Sequence, residues 1–188
     1  INAATTDRLH LGGGMINNNS AEIWAKNFSV DTSIQMTNTG RIVATGDMEF
    51  KGNTVSNEQE GFVYSEGNIS TDLNSFTNKG NSSVFADGKL DITAAEVEND
   101  DSILFSGEGM FITANNVKNT HNSLINSYGD IDITATNEVL NQSSNIESEG
   151  SISITADTLT NEKEIFITDW TITYENIAYG IPHLQQKN

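Results

Sequence analysis

The sequence predicts an all-β chain wound as a parallel β-helix, a solenoid of about eight rungs with a repeat of about 21 residues. Three observations predict it. A glycine returns at Gly46, Gly67, Gly88, Gly109, Gly129 and Gly150, in steps of 21, 21, 21, 20 and 21 residues. An asparagine keeps the same beat at Asn18, Asn38, Asn57, Asn78, Asn99, Asn119, Asn141 and Asn161. Between them apolar and polar residues alternate, as across Leu90, Ile92 and Ala94, which is the period of a strand with one buried face.

The clearest copies are GKLDITAAEVEN at 88–99 and GSISITADTLTN at 150–161, giving a template G-x-L-x-I-x-A-x-x-L-x-N. A second half follows, x-x-G/S-x-I-x-S-x-G, as in EGFVYSEG at 60–67. Thr, Ile, Val and Asn fill positions where a helix would favour Ala, Leu, Glu or Lys. Each copy then holds two or three strands too short to make a sheet alone. Each strand must pair in parallel with its equivalent in the next copy.

Each slot has a predicted role. The glycine before the first strand suits a turn with positive φ. Small residues at Ala94, Ala114, Ala135, Ala156 and Gly52 mark a place where the coil bends or narrows. The asparagine suits a left-handed turn residue whose amide bonds to its counterpart one rung away. Such ladders stabilise stacked parallel chains.

Rungs start near residues 7, 26, 46, 67, 88, 108, 129 and 150. In the first, Asp7 takes the glycine slot, Leu9, Leu11 and Ile16 point inward, and Asn18 joins the ladder. The second, through Phe28, Val30, Met36 and Asn38, carries an extra residue. Thr71 puts a polar group in a core slot and predicts a less well packed rung. Glu108 takes the glycine slot between Gly107 and Gly109, and one residue is inserted before Leu140 and Asn141. At about 4.8 Å per rung the rod is roughly 40 Å long. A single rung could not fold alone. Its few buried side chains contribute about 1.5–3 kcal/mol each, against about 1–2 kcal/mol of backbone entropy for every ordered residue.

The chain has 188 residues, a formal charge of −17, one proline and no cysteine. The acidic balance argues against nucleic acid and against electrostatic adhesion to anionic membranes. No apolar run is long enough to span a bilayer, so no membrane insertion is expected. The chain begins in mid-repeat, which predicts a piece of something longer. Residues 1–161 form the repeat region. Residues 162–188 break the beat with denser aromatics and the single proline, Pro182, and predict a divergent terminal rung, a cap, or the start of a following region.

Chemistry is sparse. His10, His121 and His183 occupy unrelated parts of the repeat, and no H-E-x-x-H or cysteine cluster exists. No catalytic residue, metal site or cofactor is expected. Asp91 and Asp132 lie two rungs apart with Phe111 between them, which breaks any carboxylate line. The calcium nonapeptide pattern is absent around Gly12, Gly13 and Gly14, and Arg8 and Arg41 are the only arginines. That weakens the reading of a polysaccharide lyase on a β-helix. Candidates for contact with a partner are aromatics outside the inward slots: Trp24, Tyr64, Tyr128, Trp170, Tyr174 and Tyr179.

The template resembles the haemagglutinin repeats of filamentous haemagglutinin and of contact-dependent growth inhibition exoproteins, the large substrates of two-partner secretion. The resemblance is carried by GKLDITA at 88–94 with Val97 and Asn99, GDIDITA at 129–135 with Leu140 and Asn141, and GSISITA at 150–156 with Leu159 and Asn161. It covers about residues 7–161. It implies a right-handed parallel β-helix, secreted to the cell surface of a Gram-negative bacterium through an outer-membrane two-partner secretion transporter. It also implies a stalk, with adhesive, receptor-binding or toxin regions lying elsewhere in the parent protein. Direct binding of a receptor or glycan by this segment is the alternative.

Overall fold

A computed structural model describes residues 1–18 and 20–163. The described chain is all β and winds as a parallel solenoid of about eight turns, spaced about 21 residues apart. Each turn contributes one short strand and one long one, the long one split in two in the first described turn (Leu9–Gly12 and Met15–Asn17) and in the last (Ile152–Thr155 and Thr158–Glu162). The short strands are Asn2–Ala3, Glu22–Ala25, Arg41–Ala44, Phe62–Ser65, Ser83–Ala86, Ile103–Ser106, Leu124–Ser127 and Asn145–Ser148, and they stack in that order into one sheet. Long strands such as Phe28–Asn38, Met48–Glu58, Ile69–Lys79, Lys89–Asp100, Gly109–Thr120 and Asp130–Gln142 form the other. All described pairings are parallel.

The long strand lines two walls. In Lys89–Asp100 the side chains of Leu90, Ile92 and Ala94 point inward, Ala95 and Glu96 both point away, and Val97 and Asn99 point inward again. Two outward residues in succession reset the alternation and turn the chain through a corner. The small slot lies at this corner, where Ala94, Ala114 and Ala135 are buried. Gly52 shares the slot with a φ of +115°, and a Cβ there would run into the Thr32 carbonyl. Only glycine satisfies both demands.

Inward columns run the length of the described coil. Ile69, Leu90, Met110, Ile131 and Ile152 stand opposite one another in register. Val97, Val117, Val139 and Leu159 form a second column. Phe28 and Phe50 thicken the core near the N-terminal end, with ring centroids 5.8 Å apart. Thr71, a polar residue in the inward column of Phe50, Ile92 and Ile112, is buried; its hydroxyl donates to the Thr93 carbonyl at 3.2 Å and accepts the Thr93 amide at 3.1 Å. Extra residues are absorbed at the corner: the register shifts between Thr32 and Gln35, and again where Ala114 and Asn116 face Ala135 and Glu138.

The periodic glycines differ from the sequence expectation. Gly46, Gly67, Gly88, Gly109, Gly129 and Gly150 do not adopt positive φ. At Gly46, Gly67, Gly88 and Gly150 an added Cβ would collide with a side-chain oxygen of the preceding rung, from Asn27, Asp47, Asn68 and Asp130 respectively. At Gly129 it would meet the Glu108 carbonyl. Close approach, rather than backbone handedness, requires the missing side chain there. Gly109 is the exception, since its nearest neighbours lie at 3.5 Å.

Candidate functional site

The ladder asparagines are strand residues aimed into the core. Asn38, Asn57, Asn78, Asn99 and Asn119 are almost fully buried, and none has a positive φ. The left-handed positions sit two residues later, at Gln59, Gly80, Asp101, His121 and Ser143. The expectation of a turn asparagine is corrected accordingly: the turn follows the ladder.

Each asparagine donates from Nδ2 to Oδ1 of the asparagine in the following rung. The chain of bonds runs Asn17, Asn38, Asn57, Asn78, Asn99, Asn119, Asn141, Asn161, with distances of 2.7, 2.7, 2.9, 2.9, 2.8, 2.8 and 2.8 Å. The same amides also reach carbonyls of the short-strand wall: Asn57 to Ser83 at 3.1 Å, Asn78 to Ile103 at 3.0 Å and Asn119 to Asn145 at 3.0 Å. The ladder therefore joins rung to rung and wall to wall. Polar groups inside a core are stabilising only when satisfied in this way.

Asn18 does not join this ladder. Asn17 pairs with Asn38 and is buried, whereas Asn18 is exposed. The physical reason lies in the same strand, a few residues earlier. Met15, rather than Ile16, takes the inward slot opposite Met36, and Ile16 is 72% exposed. That shift by one residue exchanges the two faces of the strand.

A second polar device explains the serine of the half-template. Ser65, Ser106, Ser127 and Ser148 end their short strands. Their hydroxyls accept from the backbone amides of Gly67, Gly109, Gly129 and Gly150 at 2.9–3.2 Å. Ser148 also donates to the Gly129 carbonyl of the preceding rung at 2.7 Å.

The outer face of the short-strand sheet carries the most distinctive surface among the described residues. Trp24, Val43, Tyr64, Phe85 and Phe105 occupy one outward column in register. Phe62, Ile103 and Leu124 stand in the adjacent one. Ring contacts run from Phe62 to Phe85 at 5.8 Å, Phe85 to Phe105 at 5.6 Å and Phe105 to Tyr128 at 5.0 Å. The Arg41 guanidinium lies over the Phe62 ring, 4.7 Å from its centroid. The Tyr64 hydroxyl donates to Asp87 at 2.6 Å. That bond, then burial and the Asp87 charge, raise the Tyr64 phenol to about 12.

Of the aromatics singled out in the sequence, Trp24, Tyr64 and Tyr128 lie on or beside this face, while Trp170, Tyr174 and Tyr179 lie outside the described residues. Phe62, Phe85 and Phe105 complete the face and were not anticipated. The signal was present: Tyr64, Phe85 and Phe105 recur at the repeat period, one residue after the buried Val63, Val84 and Leu104.

Other polar groups are scattered. Phe111 separates Asp91 from Asp132 in the outward column. His10 contacts the Ser29 hydroxyl at 3.0 Å and His121 contacts Asp100. Among the described residues there is no group of three or more His, Cys, Asp or Glu able to hold a metal ion. No helix among them is long and apolar enough to cross a membrane.

Stacked repeating turns, an internal amide ladder and a long aromatic flank define a repetitive β-solenoid. The haemagglutinin repeat family model matches residues 1–81 and 65–173, and the chain belongs to that family. The family is one of structural adhesins, and this β-solenoid fits a segment of a filamentous adhesin, a class of secreted or cell-surface proteins. No curated protein and no solved structure matches the chain.

Proposed function

We propose that the chain is a length of stalk in a secreted filamentous adhesin or contact-dependent inhibition exoprotein of a Gram-negative bacterium. In this reading it carries a receptor-binding or toxin region away from the producing cell. Its partner during export is an outer-membrane two-partner secretion transporter. Residues 1–161 supply the stalk, and residues 162–188 form a divergent terminal rung or cap, or begin a following region.

The observation that supports this reading is the parallel pairing of every turn with the next from Leu9 to Glu162, with register shifts confined to the corner. Every rung is tied to the next by backbone bonds and by an asparagine amide. Stability in such an array is a sum of rung and interface contributions, so length can grow without a larger core. The product is stiffness and reach. The haemagglutinin repeat match supports the secreted setting.

The test is immunogold labelling of this segment on intact producing cells, with and without the outer-membrane transporter. The reading expects label standing off the cell surface, lost when the transporter is deleted. Label confined to the cell interior in both strains would overturn it.

Direct binding by the segment itself is the second reading, favoured by the outward aromatic face. Trp170, Tyr174 and Tyr179 are proposed as further contacts. Binding of the isolated chain to target cells, lost on Trp170→Ala or Tyr174→Ala with folding retained, would support a contact role for those residues.

A further inference from the structure

The outward aromatic face is not needed to close the core. The inward slots of the same short strands are already filled by Val63, Val84, Leu104 and Ile125. Phe62, Tyr64, Phe85 and Phe105 are half-buried on the opposite side, in contact with one another across three rungs. A contiguous aromatic row left partly open on a sheet face can take an occupant.

Charge identifies the kind of occupant. Exposed Glu66 and Asp87 stand at one end of the strands, next to Tyr64 and Phe85. Exposed Glu60 and Asp101 stand at the other end. The whole chain carries −17. A second copy of the chain would bring like charges together along both rims. A sulfated or uronic polysaccharide would meet the same repulsion. A cationic side chain is attracted both by the rims and by the ring faces, because the quadrupole of an aromatic ring attracts cations. The row already makes one such contact within the chain, the Arg41 guanidinium over Phe62.

The geometry points to the face formed by Phe62, Tyr64, Phe85 and Phe105 as a docking surface for a basic, amphipathic polypeptide segment. Its arginines would lie over the rings and against Glu66 and Asp87, and its apolar residues would cover the row between them. The filament reading does not depend on this surface, and the two fail separately: cell-surface labelling tests one and peptide binding the other.

The experiment is calorimetric titration of the full 188-residue chain with a short synthetic peptide of alternating arginine and leucine. Saturable binding is expected. Phe85→Ser with Phe105→Ser should weaken it by about tenfold, the effect of losing two exposed cation–ring contacts. Glu66→Gln with Asp87→Asn should weaken it too, and more so at low salt. Both replaced rings face outward, so an unchanged circular dichroism spectrum is expected. Should the serine pair fail to fold, the Glu66→Gln/Asp87→Asn pair decides. Several results would overturn the proposal: no saturable binding, equal binding of an alternating arginine–glycine peptide, or binding unaffected by either pair of substitutions. So would a neutral oligosaccharide binding in the peptide's place, or a homodimer that the serine pair dissolves.

Discussion

The side-chain amide of Asn78 donates at once to Oδ1 of Asn99, at 2.9 Å, and to the backbone carbonyl of Ile103, at 3.0 Å. One buried group therefore ties two rungs and two walls. Replacing it with alanine removes the donor to both and the acceptor that Asn57 uses at 2.9 Å. Asn78→Ala should cost about 2–4 kcal/mol in a denaturant melt, since groups at the ladder are left unsatisfied in the interior. Asn161→Ala, at the exposed last described rung, should cost under about 1 kcal/mol. Equal costs at the two sites would deny the ladder its structural role.

Gly129 and Gly109 share a beat in the sequence but differ in their surroundings. A methyl at 129 would overlap the Glu108 carbonyl, whereas at 109 it would meet only ordinary contacts at 3.5 Å. Gly129→Ala should destabilise by about 1–3 kcal/mol through forced displacement of backbone. Gly109→Ala should be neutral or stabilising by about 0.5 kcal/mol, because a strand glycine is entropically costly. Thermal melts of the two variants, run side by side, measure the contrast.

Thr32 is fully buried, and its hydroxyl has no partner among the described residues. It shares the corner column with Gly52, Leu73 and Ala94. Thr32→Val keeps the shape and removes the unsatisfied oxygen. Stability should rise by about 1 kcal/mol. A fall in the melting midpoint would mean the hydroxyl has a partner after all.

Tyr64 gives a signal at high pH. Its folded phenol is raised to about 12 by the hydrogen bond to Asp87, by burial and by the nearby carboxylate charge, against about 10 in an unfolded chain. A raised pKa contributes stability that is fully present below about pH 10 and is lost as pH rises towards 12. Tyrosinate absorbance should show one phenol titrating late, and Asp87→Ala should bring it back towards the ordinary range. A late titration that persists in that variant would remove Asp87 as its principal cause.

Much of the fold was legible because stacking repeats the same demand at each rung. The buried columns through Leu90 and Val97 follow directly from alternation in GKLDITAAEVEN. The reason for the glycines was not legible, because positive φ and close approach select the same residue. The first rung slipped by one because Met15 and Ile16 are both apolar and Asn17 and Asn18 are adjacent. Composition therefore did not choose the face, and the pairing of Met15 with Met36 does. The aromatic flank was hidden for a related reason. In Phe62, Val63 and Tyr64 both faces of the strand are apolar, so alternation is silent about which side is in.

The amide ladder also has a direction. Every Nδ2 hands its hydrogen towards the rung that follows in the chain, never back. The two ends of such a ladder are thus unlike: the C-terminal face presents an amide donor and the N-terminal face an amide oxygen. Any length of the coil is therefore polar, and only a junction made head to tail, in the same sense as the chain, continues the ladder.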